Sequence, residues 1–266
     1  MQTNEHPAES VSATAGSNNK LGCELCRNPA NLPIPITMAF QPIVDPAKRE
    51  IYAYEALVRG KQGQGAYEVL SMIDSTNRYT FDQACRATAI ELAAKLGITS
   101  MLSINFLPNA IYRAETCIRA TLTAAAHYGF DTSKLMFEVT EGEQVSDGAH
   151  LRSIFEEYKR QGFTTAIDDF GAGHSGLNIL AEFQPDVIKL DMALTRDIDK
   201  DPVRRAIVTA VVTMCKDLNI EMVAEGIESK EEFHTLQDLG VGLFQGYYFA
   251  KPAFEALATL GPQWWE

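Results

Sequence analysis

Carboxylates stand at the downstream ends of one strand-like segment after another in this chain. Glu55 closes Ile51-Tyr52-Ala53-Tyr54, Glu138 and Glu141 follow Leu135-Met136-Phe137, and Asp168 and Asp169 close Thr164-Thr165-Ala166-Ile167. Asp191 ends Val187-Ile188-Lys189-Leu190, and Glu225 ends Met222-Val223-Ala224. One acid after a strand is an ordinary turn residue. Acids recurring after strand upon strand need a shared reason, because carboxylates packed together repel and raise each other's pKa. Parallel strands gathering those ends around divalent cations supply that reason.

The donor types narrow the cation. Asn105, after Leu102-Ser103-Ile104, adds an amide oxygen to the carboxylates. An oxygen-rich set suits hard ions such as Mg²⁺ or Mn²⁺ better than zinc or copper. The five histidines form no H-E-x-x-H pattern, and His174, the only one near the acids, reads as a loop residue. An Asp-Asp doublet can serve two ions, one carboxylate bridging and its neighbour binding the second. Two metals about 3.5–4 Å apart are the standard device for in-line displacement at phosphorus. Lys189 points from its strand into this acidic cavity, either balancing charge as a salt bridge or holding the attacking water. Arg59, four residues beyond Glu55, is either a surface arginine or a clamp on a substrate phosphate.

Alternating strand-like and helix-like stretches must position these groups. Strand patterns fall at 37–44, 51–58, 100–106, 134–140, 163–169, 186–191, 220–225 and 241–247. Helical patterns fall at 79–96, 109–128, 147–161, 175–183, 202–218 and 229–239. Only the first two strands lack a helix between them, and Asp45-Pro46-Ala47-Lys48 reads as a tight connection, so that pair is expected to be antiparallel. The result is an α/β chain expected to fold as a modified TIM (β/α)₈ barrel with an antiparallel first strand, a doubly wound open sheet being the alternative. Residues 1–36 read as a flexible arm and 37–266 as the barrel domain.

Composition bounds the partners. The chain has 266 residues, 46% hydrophobic, and a formal charge of -12, which repels nucleic acid polymers and anionic membrane surfaces at long range. A small anionic substrate is compatible with that charge once bound metal inverts the local field. No apolar run approaches the ~20 residues of a membrane span, and the first twenty residues lack a signal-peptide core, so a cytoplasmic setting is expected. Five cysteines argue against a disulfide framework. Cys85, Cys117 and Cys215 read as buried thiols, while Cys23 and Cys26 form a lone C-x-x-C in the arm, either incidental or a metal or redox site.

Two motifs mislead. Gly171-Ala172-Gly173-His174-Ser175-Gly176 matches the G-x-G-x-x-G outline of a dinucleotide site, yet Asp168 and Asp169 stand where a pyrophosphate would feel their charge. The same stretch misses a serine nucleophile elbow because Leu177 occupies the place of the closing glycine.

Tyr54-Glu55-Ala56-Leu57-Val58-Arg59 resembles the signature of the EAL-domain cyclic-di-GMP phosphodiesterases. The resemblance continues in order through Gln41-Pro42-Ile43, Asn105, Glu138-Val139-Thr140-Glu141, Asp168-Asp169-Phe170-Gly171, Lys189-Leu190-Asp191, Ala224-Glu225-Gly226-Ile227-Glu228 and Gln245-Gly246-Tyr247 with Pro252. It implies hydrolysis of cyclic di-GMP to linear pGpG, by a homodimer. It further implies that Glu55, Asn105, Glu138 and Asp168 hold one metal, and that Asp168 bridges to a second served by Asp169 with Glu225 or Asp191. Lys189 would act as or orient the base, and Gln245 would hold the water network. Gln41, Arg59, Asp191 and Glu228 would lie on the substrate side, and Glu141 would steady the loop after Asp169 and couple metal binding to the dimer interface. The sequence departs from the family at positions 172, 174 and 176, where Ala172, His174 and Gly176 replace the usual Thr, Tyr and Ser. No expected ligand position is lost, which separates this chain from relatives that act as non-hydrolytic receptors or regulatory modules.

Overall fold

The computed structural model describes residues 32–141, 148–173, 176–261 and 264. Its strands are β1 (Ile36–Asp45), β2 (Glu50–Gly60), β3 (Met101–Asn105), β4 (Leu135–Thr140), β5 (Thr164–Phe170), β6 (Val187–Leu190), β7 (Glu221–Ala224), β8 (Leu243–Phe244) and β9 (Ala253–Phe254). The α-helices are α1 (Ala66–Leu70), α2 (Arg78–Leu96), α3 (Ala114–Tyr128), α4 (Gly148–Arg160), α5 (Gly176–Glu182), α6 (Met192–Thr195), α7 (Pro202–Asp217) and α8 (Lys230–Leu239).

Strands β2 through β8 pair in chain order and in parallel. β1 closes the barrel: it runs antiparallel to β2 over its whole length and antiparallel to β8 through Val44 and Phe244. The expected antiparallel start is therefore correct, and the short Asp45–Glu50 connection accounts for it, since a hairpin reverses the chain whereas a helix crossover returns it parallel. β9 continues the wall beside β1 through Ala39–Phe254 and Phe40–Ala253. β9, α1 and the single turn of α6 are too short to announce themselves by periodicity, and the strand expected over 241–247 shortens to Leu243–Phe244. The helix expected over 109–128 starts only at Ala114, after a 3₁₀ turn at Pro108–Ala110.

Apolar side chains divide into an inner plug and an outer shell. Ile43, Ala53, Met136, Ala166, Val187, Val223 and Leu243 fill the lumen toward the N-terminal ends of the parallel strands. Outside, strand faces pack on the helices, with Phe40, Leu102, Phe137 and Tyr158 in one cluster and Ile188, Val208, Leu236 and Phe244 in another. Cys85 and Cys215 are buried free thiols as expected, whereas Cys117 is only half-buried. The expected arm, as far as residue 31 and including Cys23 and Cys26, lies outside the described residues, as does His174.

Candidate active site

Strand alternation builds the site directly above the plug. Moving two residues toward the C-terminal rim on each parallel strand changes Ala53 to Glu55, Met136 to Glu138, Ala166 to Asp168, Val187 to Lys189, Val223 to Glu225 and Leu243 to Gln245. On antiparallel β1 the same step runs backwards, from Ile43 to Gln41, which stands opposite Glu55. The floor of the site is thus apolar and close-packed, so its charged groups have nowhere to relax downward.

Lys189 is the centre. It is 1% exposed, and its Nζ lies 2.7 Å from Glu225 Oε1, 3.0 Å from Asp168 Oδ1, and 3.3 Å from both Glu55 Oε2 and Glu138 Oε2. Asn105, in register with Glu138, donates from Nδ2 to Glu55 Oε1 at 3.0 Å and to Glu138 Oε1 at 2.9 Å. Gln245 Nε2 donates to Glu55 Oε2 at 2.7 Å, and its Oε1 is a buried acceptor without a hydrogen-bond partner among the described residues. Ser103 Oγ donates to Glu138 Oε2 at 2.6 Å. Sequence reasoning missed Ser103, although its parity with Asn105 two residues on placed it on the same face.

The Asp-Asp doublet depends on an irregularity. Ile167 pairs with Ile188 and Phe170 with Leu190, so Asp168 and Asp169 together oppose the single residue Lys189. This is a β-bulge, with Asp169 in the left-handed region at φ 54°. Regular alternation would turn one aspartate away; the bulge brings both into one group with Glu225, carboxylate oxygens within 4.8 Å of one another. Glu55, Glu138 and Asp168 form a second such group, and Asp168 belongs to both.

The charges do not balance. Burial raises the pKa of Glu138 well above the carboxylate range despite Lys189, with Glu55 and Asp168 adding to the rise. Burial likewise raises Glu225 well above that range and lifts Asp168. Asp169 is pushed up to about 6 by burial and by the charges of Asp168 and Asp191. Glu55 alone is lowered: burial opposes its charge, but Lys189 and hydrogen bonds outweigh it. Burial also works against the Lys189 ammonium, yet Asp168, Glu138, Glu225 and Glu55 hold its proton firmly.

The remaining expected residues surround this centre rather than join it. Gln41 donates to the Ala250 carbonyl at 3.1 Å, and the Arg59 guanidinium rests on the Val58 carbonyl at 2.7 Å. Asp191 leaves the lumen after β6 and caps α6, accepting from Ala193 N at 2.8 Å. Glu228 sits at the rim, paired with Arg196 at 2.8 Å. Glu141 gathers the turn after β5, accepting from Gly171 N and Gly176 N at 2.7 Å each.

A closed eight-stranded α/β barrel whose strand ends converge on two linked carboxylate groups defines the class of this protein: a barrel with an acidic, lysine-centred mouth. The chain belongs to the EAL domain family, whose model matches residues 35–252. The blue light- and temperature-regulated antirepressor BluF of Escherichia coli (strain K12) is 32% identical over 223 residues, covering 84% of this chain and 55% of that protein. The probable cyclic di-GMP phosphodiesterase PdeG of the same organism is 30% identical over 223 residues, covering 80% of this chain and 44% of that protein. The chain thus spans about half the length of these curated relatives. An EAL protein from Vibrio cholerae O395, solved in its c-di-GMP-bound form, is 55% identical with a TM-score of 0.86 over 88% of this chain and 99% of that one. BlrP1 of Klebsiella pneumoniae, solved as a manganese and cyclic di-GMP complex, is 38% identical with a TM-score of 0.79 over 84% of this chain and 57% of that one.

Proposed function

We propose that this chain is a metal-dependent phosphodiesterase that hydrolyses one phosphodiester bond of cyclic di-GMP, giving linear pGpG. One observation carries the reading: two carboxylate triads share Asp168 and enclose a single buried cation, Lys189.

The donor set fits a pair of hard divalent cations, Mg²⁺ or Mn²⁺. Every donor is oxygen, the carboxylates outnumber the one cation, and Gln245 Oε1 is a buried acceptor unpartnered among the described residues. Glu55, Asn105, Glu138 and Asp168 would hold the first ion, Asn105 through its oxygen after a half-turn of the amide now donating to Glu55 and Glu138. Asp168, Asp169 and Glu225 would hold the second. Bound there, the ions supply a polarised water and stabilisation of the leaving oxygen.

The protein's own groups do the rest. Lys189 Nζ, protonated among its acids, orients the water by donating a hydrogen bond to it. Gln245 fixes Glu55 and offers Oε1 as an acceptor to the same water. Arg59 at the end of β2 would meet substrate phosphate, while Gln41, Asp191 and Glu228 border the substrate on opposite sides of the mouth. Glu141 holds the turn after Asp169 in place. Homodimerisation and a cytoplasmic setting belong to the same reading.

BluF is named an antirepressor, so binding without turnover is the competing reading. Incubation with cyclic di-GMP and Mn²⁺, followed by chromatography, separates the two. Release of pGpG that stops on chelation is expected. Binding of cyclic di-GMP with no product formed would make the chain a receptor instead.

A further inference from the structure

Between the strand ends that carry Asp169 and Glu225 lies the single turn of α6. It touches both. A Cβ placed on Gly171, just after the Asp doublet, would strike Leu194, and one placed on Gly226, just after Glu225, would strike Met192. Both glycines have left-handed backbones, with φ of 97° and 66°. The turn is therefore wedged against the two loops that leave the Asp168, Asp169 and Glu225 triad.

One hydrogen bond locks the wedge. Thr195 is fully buried, and its Oγ1 donates to the Glu225 carbonyl at 2.6 Å, a far shorter contact than the 3.4 Å to its own-turn Met192 carbonyl. The β6–β7 ladder ends at Leu190–Ala224, one residue before Glu225. Beyond that point Glu225 is held on its N–H by the Leu190 carbonyl at 3.1 Å and on its own carbonyl by Thr195. The carboxylate on this doubly tethered residue is the one nearest Lys189, at 2.7 Å.

We propose that Thr195 is a positioning residue for the Asp168, Asp169 and Glu225 triad. Its hydroxyl fixes the main chain of Glu225 so that the side chain meets the Asp doublet and completes the second cation site. A residue of the same shape without the hydroxyl leaves a carbonyl at the barrel mouth without its partner, and the strand end turns to find another. The inference rests on the metal reading above, and it assigns unequal dependence on Thr195 to the two ions.

Calorimetric titration of Mn²⁺ into the chelator-stripped full chain tests it. Wild type is expected to take two ions. Thr195→Val should weaken the second by about five- to tenfold, the loss of one hydrogen bond, and leave the first unchanged. Thr195→Ser, which keeps the hydroxyl, should restore the second. Should Thr195→Val fail to fold, Thr195→Ser against Thr195→Ala isolates the hydroxyl, with circular dichroism confirming the fold of each. Equal second-ion affinity in Ser and Ala variants, or equal weakening of both ions in Thr195→Val, overturns the proposal. A wild-type chain that binds no Mn²⁺ overturns the metal reading itself, which is a separate result.

Discussion

Among the described residues two cations are buried in this barrel, and they live in opposite circumstances. Arg86, on α2, is fully buried with Nε 2.9 Å from Asp82, one turn away, and its guanidinium also donates to the Tyr158 hydroxyl at 2.7 Å. The faces of Phe106, Phe137 and Tyr158 surround it at 5.1–5.7 Å. One positive charge meets one negative charge, and Asp82 Oδ1, which accepts from the guanidinium at 3.3 Å, also accepts from Leu107 N at 3.0 Å, anchoring the turn after β3. Lys189 is as deeply buried but faces four carboxylates within 3.3 Å. A buried pair that neutralises itself serves the fold. A buried cluster with surplus charge of one sign is incomplete without something of the other sign, and such clusters mark function.

The largest effect that could break this contrast is on turnover. Glu55→Ala removes a carboxylate shared by Lys189, Asn105 and Gln245, and should cut pGpG release by about three orders of magnitude while the far-ultraviolet circular dichroism spectrum stays unchanged. Turnover at the wild-type rate would remove Glu55 from the site. Next comes Arg86→Met, which leaves the buried Asp82 charge without its counter-ion and should cost about 3–5 kcal/mol in urea unfolding. Folded Arg86→Met should still bind Mn²⁺, whereas loss of binding without loss of stability would erase the distinction between the two cations.

Mn²⁺ itself should stabilise the wild-type chain by about 2.7 kcal/mol at a hundredfold excess over its Kd. Glu138→Gln should remove the first ion's share of that gain and, in chelator, leave the protein as stable as wild type or more so, because one uncompensated buried charge is gone. A metal-free Glu138→Gln variant much weaker than wild type would show that the cluster balances itself after all. The smallest effect is on pH. Asp169 has a folded pKa of about 6, above its unfolded value, so its share of stability is full below the unfolded pKa and lost as pH rises through 6. The melting temperature of chelated protein should therefore rise slightly between pH 7 and pH 5, and Mn²⁺ should reverse the trend because protons compete for its ligands. A chelated protein that loses stability over that interval would contradict the upward shift of Asp169.

Much of this site was legible because strand periodicity is local. Glu55, Asn105, Glu138, Asp168, Lys189 and Glu225 are each two residues along from a lumen-facing position, and that step of two is readable from the order of residues alone. The antiparallel start was legible for the same reason, since Asp45-Pro46-Ala47-Lys48 leaves no room for a crossover helix. Ser103 obeyed the same parity and was passed over for want of charge. Thr195 and α6 gave no such signal: one helical turn has no period to detect, and a buried hydroxyl's partner 30 residues on is set by packing. The bulge was equally hidden, because nothing in Ile167-Asp168-Asp169-Phe170 states that two residues will face one across the ladder.

Residue order alone determined which groups could reach the mouth of the barrel and that their oxygens outnumber their nitrogens, since both follow from alternation along each strand and from side-chain type. Closure of the sheet decided how those groups meet: that Asp168 belongs to both triads, that a single lysine serves four acids, and that Arg86 is sealed away from them. Those outcomes depend on register between strands far apart in the chain, and register is settled only when every strand packs at once.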